Sequence, residues 1–283
     1  MSLLNECLKQ SLSLFFNKKI YLSETFSNQN FSRPLSLMTH SLKEEVFYFK
    51  ERQIVKLSKE KSSDIVMIYL HGGAYVFNIS QAHYLLITQL VKETEIDTHV
   101  LDYPLAPNAH GYTAFDYVCS YIESLRYSKI ILIGDSAGAG LALACALKLK
   151  DRIHHLFLLS PMLDGRLNHP LQIELEQKDP LLSIKGLHHC AQLYAGDLTS
   201  DDPIISPILG DMHSLCALTI YTSDCDLLMS DSLVLCDYLE ANQKKFTLHR
   251  ESGLIHDWML MPFLKEAKLS KKRLIQEIRA CLL

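Results

Sequence analysis

The chain alternates short, almost wholly apolar runs with longer stretches in which apolar residues recur every three or four positions. Residues 65–70 (Ile-Val-Met-Ile-Tyr-Leu) and 130–133 (Ile-Ile-Leu-Ile) are continuous apolar runs, the pattern of strands buried on both faces of a sheet. Further strands are predicted at 46–49, 53–57, 98–102, 155–160, 217–222 and 245–250, the first two forming a hairpin about Lys50-Glu51. Between them lie helical spacings: Ala82, Leu86 and Leu90 after Ser80; Ala114, Val118, Tyr121, Ile122 and Leu125; the Ala- and Leu-rich 139–147; and segments near 230–242 and 263–282. Strands alternating with helices of this length predict a mostly parallel sheet covered on both faces, with the functional loops at the strands' carboxyl ends.

Two intervals depart from the alternation. Residues 160–217 hold no strand-like run but contain Pro161, Pro170, Pro180, Pro203 and Pro207 and a helical fragment at 184–194. So long a structureless loop is improbable in a compact domain, and an inserted helical lid is expected. At the other end, Leu4, Leu8, Leu12 and Phe15 fall at helical spacing, predicting an amphipathic helix, and 20–42 reads as loop with short helix. This N-terminal helix and the lid are expected to roof the site together. The whole chain then forms a single domain, 1–283, with cap elements at about 1–42 and 164–206.

The organising stretch is 129–150. Its strand ends in Gly134-Asp135-Ser136-Ala137-Gly138 and passes directly into a helix, the arrangement of a nucleophile elbow, in which a strained turn presents a serine hydroxyl at the top of a sheet. The N–H of Ala137 would lie at the positive end of that helix, where developing negative charge is stabilised. A serine hydroxyl needs a histidine to take its proton and a carboxylate to orient the histidine, in the chain order Ser, acid, His on such a fold. Of 13 histidines, only His249 and His256 follow the last strands. His249 falls inside one, so His256 is the expected base. For the acid, the loop after Thr222 offers Asp224 and Asp226, while Asp231 reads as capping or opening the next helix. Deprotonation of such a base predicts activity that rises through about pH 6 to 7.

Five ordered motifs resemble those of the hormone-sensitive-lipase-like branch of the α/β-hydrolase carboxylesterases: His71-Gly72-Gly73-Ala74, Tyr103-Pro104-Leu105-Ala106-Pro107, the elbow, Ser160-Pro161-Met162-Leu163-Asp164 and Gly253-Leu254-Ile255-His256. The resemblance spans roughly 60–260. It implies a mostly parallel eight-stranded sheet with a small helical cap, and hydrolysis of short-to-medium acyl esters through Ser136, Asp226 and His256. Asp226-Leu227-Leu228 falls at that branch's Asp-Pro-Leu position, and Asp224 is the runner-up. Backbone N–H groups of Gly72, Gly73 and Ala137 are expected to form the oxyanion hole. Tyr75, Val76 and Phe77 are expected to wall the substrate pocket, His71 to shape the loop, and Asp135 to make a local salt bridge. Ala74, Asn108 and Ala139 depart from the branch's usual Gly, Glu and Gly, which bears on loop shape and substrate choice. An amidase, formamidase or sugar deacetylase would use the same three residues, and a receptor-like binding protein of this fold would lack the histidine.

Composition narrows the classes. Hydrophobic residues make up 48% of the 283 positions and charged residues 21%, with 28 basic against 32 acidic side chains and a net charge of -4. Nothing here offers the basic footprint of a nucleic-acid-binding protein. The eight cysteines lack C-x-x-C or metal-finger spacing, so no metal is expected, and the chemistry calls for no cofactor. With neither a leader pattern nor an 18-residue apolar run, a cytoplasmic protein without stable membrane insertion is expected. Its expected partners are a small-molecule ester and, at most, a second copy of the chain.

Overall fold

In a computed structural model, residues 2–23, 26, 31–59 and 64–282 are described. Positions 24–25 and 27–30 of the expected N-terminal loop lie outside them. Eight strands form one sheet in the order β1-β2-β4-β3-β5-β6-β7-β8: β1 Lys43–Phe49, β2 Arg52–Ser58, β3 Ile65–Leu70, β4 Asp97–Leu101, β5 Lys129–Asp135, β6 His155–Leu159, β7 Leu218–Cys225 and β8 Phe246–Ile255. The hairpin β1–β2 and the pair β2–β4 are antiparallel, and the remaining pairs are parallel. Lys50 and Glu51, both at positive φ (44° and 67°), make the two-residue hairpin turn.

The helices are α1 Leu3–Phe15, α2 Ser36–Thr39, α3 Gln81–Thr94, α4 Gly111–Ser124, α5 Ser136–Leu149, α6 Leu171–Lys178, α7 Ile184–Ala195, α8 Met229–Ala241 and α9 Lys265–Ala280. Side chains of a strand alternate between its faces, and the core divides accordingly. Val66, Ile68, Leu70, Leu132 and Leu158 pack with α4, α5 and α8, whereas Met67, Tyr69, Ile131, Ile133 and Phe157 pack with α3 and α9. Burial on both faces explains why these runs carry no polar alternation.

Three expectations change in detail. Strands β7 and β8 run on to Cys225 and Ile255, beyond the expected ends at 222 and 250, because the two keep pairing across a bulge between Ser223 and Cys225. Asp224 therefore lies on a strand and not in the loop after it. The N-terminal helix forms, but it buries Asn5 and only partly buries Leu8 and Leu12, while Leu4 is half exposed; Asn5 Nδ2 donates to Gly253 O at 2.8 Å, fixing α1 beside β8. The Phe15 side chain lies outside the described set. Contact with the lid comes instead from the 3-10 turn Lys18–Leu22, which packs on α7.

Candidate active site

Strand β5 ends one residue before Ser136, and helix α5 begins on it. Two glycines make this turn sterically feasible. A Cβ on Gly138 would lie 2.1 Å from Leu70 O, and one on Gly134 would lie 2.5 Å from Gly138 O. Between them Ser136 adopts φ 49°, outside the region ordinary residues prefer.

The chain brings Ser136, His256 and Asp226 together from three distant places. His256 Nε2 lies 3.0 Å from Ser136 Oγ, and His256 Nδ1 lies 3.0 Å from Asp226 Oδ2. Asp226 is fully buried, and its other oxygen accepts the Leu228 N–H at 2.9 Å, which fixes the carboxylate's aim. Asp224 is turned elsewhere: its oxygens accept the Gly253 N–H at 2.5 Å and the Ser252 hydroxyl at 2.8 Å, clasping β7 to β8. His249, inside β8, pairs with Glu277 of α9 at 2.6 Å.

The loop after β3 approaches the serine from the other side. Gly73, at φ 123°, has a conformation that L side chains rarely adopt, and a Cβ there would meet Phe77 O at 2.5 Å. Its N–H and that of Ala137, in the first turn of α5, have no partner among the described residues. Gly72 corrects the expectation. Its N–H donates to Asp135 Oδ2 at 2.9 Å, so of the three expected donors Gly72 is already engaged.

Asp135 itself is a buried hub. Besides Gly72 it accepts the Tyr69 hydroxyl at 2.7 Å and faces His83 Nε2 at 3.1 Å. Burial opposes charge on both partners, yet their mutual attraction wins, raising the His83 pKa and lowering that of Asp135. His71 stays neutral: burial and then the His83 charge pull it down to about 4. It stacks on Tyr103 at 4.6 Å, and the Tyr103 hydroxyl donates to His71 O at 2.6 Å. That is a loop-shaping position.

Of the three expected pocket residues, Tyr75 is buried with its ring stacked on Tyr194 at 3.7 Å, and Val76 is likewise core. Phe77 keeps some exposure, and the rings of Tyr21 and Phe26 meet it edge-on at 5.9 and 5.2 Å. The sequence reading missed Asp257 and Asp179. Asp257 Oδ2 lies 3.1 Å from His256 Nε2. Asp179, in the segment between α6 and α7, accepts the N–H groups of Leu181, Leu182 and Leu227, tying that segment to the Asp226 loop.

Residues 67–260 match the family described as the alpha/beta hydrolase fold. This chain belongs to that family. An esterase of Acinetobacter venetianus is 29% identical over 225 residues, covering 75% of this chain and 74% of that protein. A triacylglycerol lipase of Mycobacterium tuberculosis is 26% identical over 237 residues, covering 81% of this chain and 50% of the lipase. Among solved structures, a hormone-sensitive lipase from a metagenome library superposes with a TM-score of 0.82 at 25% identity, covering 100% of this chain and 99% of that one. The expected hormone-sensitive-lipase-like branch and the eight-stranded α/β-hydrolase sheet are both borne out. Among the described residues, no helix is long and apolar enough to cross a membrane.

Proposed function

We propose that this chain hydrolyses short-to-medium acyl esters through an acyl-enzyme on Ser136, with His256 as base and Asp226 as its orienting acid. The coarser assignment, an esterase or lipase on the α/β-hydrolase fold, follows from family membership and from the esterase and lipase relatives. One observation carries the finer reading: the unbroken chain of contacts from Ser136 Oγ through both nitrogens of His256 to Asp226, each step 3.0 Å.

In this reading His256 Nε2 takes the Ser136 proton as Oγ attacks the acyl carbonyl, and the Gly73 and Ala137 N–H groups receive the oxyanion. Each such donor is worth about 10² to 10³ in rate. The protonated Nε2 then hands its proton to the departing alkoxide, and water repeats the sequence to free the acid. Asp226 keeps the proton on Nδ1, so that Nε2 is the nitrogen facing the serine. Residues 1–42 and 164–206 serve as the cap, a division supported by the packing of the Lys18–Leu22 turn on α7. Eight cysteines without disulfide partners suit a cytoplasmic setting.

The test is a panel of nitrophenyl esters and matching anilides, with Ser136→Ala as control and a fluorophosphonate label read by mass spectrometry. Ester turnover lost in Ser136→Ala by about 10⁵ or more, with labelling at Ser136, is the expected result. Anilides turned over as fast as esters would make the chain an amidase. Undiminished ester turnover in Ser136→Ala would remove the triad.

A further inference from the structure

Resting on that triad, we propose that Asp257 is a positioning residue that competes with Ser136 for the reacting nitrogen of His256, so that the resting base holds a proton which must leave before the serine reacts. Two oxygens converge on His256 Nε2: Ser136 Oγ at 3.0 Å and Asp257 Oδ2 at 3.1 Å. A neutral imidazole whose Nδ1–H points at Asp226 has only a lone pair at Nε2, and a lone pair repels a carboxylate at that distance. The arrangement is satisfied when Nε2 also carries a hydrogen, giving an imidazolium between Asp226 and Asp257.

The aim of Asp257 is set by the backbone. Its φ of 50° and ψ of 36° place it in the left-handed region, its N–H donates to Ser160 Oγ at 3.2 Å, and Trp258 beyond it is buried with Nε1 donating to Ser270 Oγ at 3.1 Å. Its hold on His256 is nevertheless singular. Whereas the second oxygen of Asp226 accepts the Leu228 N–H, Asp257 Oδ1 is buried with no hydrogen-bond partner among the described residues. Asp226 is thus a fixed orienter, and Asp257 an acceptor held to the base by one contact.

The surrounding charges favour the protonated base. Asp226 and Asp257 face it directly, Asp179 from the segment between α6 and α7 adds negative charge beyond Asp226, and Tyr21 of the Lys18–Leu22 turn is the neutral group nearby. Behind Asp257 lies Asp135, largely offset by His83, with Tyr69 donating to it. Burial works against charge on His256, but Asp226 and then Asp257 outweigh it and hold its pKa well above the ordinary value. The proton balance is simple: Nε2–H⁺ gives its proton to solvent, Nε2 then accepts the Ser136 hydroxyl proton as the Oγ–carbon bond forms, and the alkoxide takes that proton away.

The experiment is the pH dependence of kcat/KM on p-nitrophenyl butyrate for wild type, Asp257→Asn and Asp257→Gly, both replacements being tolerant of positive φ. Removing the competing carboxylate should raise the ratio of the rate at about pH 6 to that at about pH 9 by about tenfold, because the acidic limb moves down by about one unit. A fold defect alone would scale both rates and leave the ratio unchanged. Ratios equal to wild type, or loss of activity at every pH in folded variants, would overturn the proposal while leaving the triad standing; activity surviving Ser136→Ala would instead remove the triad. If both variants fail to fold, ¹⁵N shifts of His256 in the wild type decide: protons on both nitrogens at neutral pH support the proposal, and a bare Nε2 overturns it.

Discussion

The Gly72 N–H donates to Asp135 Oδ2 at 2.9 Å, joining the loop after β3 to the residue that precedes the nucleophile. A Cβ on Gly72 would lie 2.3 Å from the same oxygen, so the loop and the elbow fit only as a glycine against a carboxylate. Gly73, the next residue, carries the proposed oxyanion donor. Its position therefore depends on a buried ion pair, Asp135 with His83.

Asp135→Asn should lower kcat by about 10- to 100-fold with a smaller change in KM, since one displaced oxyanion donor costs up to about 10³. Thermal melts of the same variant should show a loss of a few kcal/mol, on the order of that for breaking a buried pair. A folded Asp135→Asn enzyme with wild-type kcat would show that the Gly73 donor holds its place without the pair.

The two candidate acids separate by what they touch. Asp226→Asn should cost about 10³ to 10⁴ in kcat, as when the imidazole tautomer is wrong. Asp224→Asn loosens the clasp on Ser252 and Gly253 and should show mainly as a lower Tm, reflecting a loss of roughly 1 to 2 kcal/mol of stability. Steady-state kinetics beside melting curves for the two variants make the comparison, and the reverse ranking would move the acid role to Asp224.

Why the sequence left these two open is physical. Continuous apolar runs such as 65–70 and 130–133 mark central strands, because burial on both faces demands them, whereas the edge strands β1 and β8 carry charged and polar residues. Where a strand stops depends on its neighbour: β7 and β8 hold each other three to five residues past their apolar runs, and no local composition encodes that. The elbow is legible because its glycines and serine fall at fixed spacing within one strand-turn-helix, Gly134 giving way to the backbone of Gly138 four residues on. By contrast, the engagement of Gly72 by Asp135 spans 63 residues, and the approach of Asp257 to Nε2 follows from a left-handed backbone at a non-glycine position. Neither leaves a spacing to read.

A second buried carboxyl predicts a pH effect on stability. Asp231, at the start of α8, accepts the Leu163 and Asp164 N–H groups at 2.8 and 3.1 Å. Burial nevertheless pushes its pKa up to about 7. A carboxyl raised on folding contributes stability below its unfolded value of about 4 and loses it as pH rises towards the folded value. In Asp231→Asn that loss is absent, so variant stability relative to wild type should climb by about 1.4 kcal/mol per pH unit between about pH 4 and 7. Urea titrations across the range measure it; a pH-independent difference would mean that Asp231 is ionised throughout.

Acyl-chain preference tests the proposed wall of the site. The sequence pointed to Tyr75, Val76 and Phe77, and of these Phe77 alone is not fully buried, with Tyr21 and Phe26 of the N-terminal segment against its ring. Held edge-on by both rings, Phe77 would make a stiff wall there, because moving it forfeits two aromatic contacts. While a growing chain still finds room, each buried CH₂ contributes about 0.8 kcal/mol, roughly fourfold in kcat/KM. Past the wall the added methylene must displace a ring, and the sign reverses. A p-nitrophenyl ester series should therefore rise from acetyl to about butanoyl or hexanoyl and fall for chains of about ten carbons. Phe77→Ala opens the wall without touching Ser136, His256 or Asp226, so it should move the optimum to longer chains while retaining turnover of acetyl esters. A long-chain optimum in the wild type, or an unmoved optimum in Phe77→Ala, would place the acyl group elsewhere.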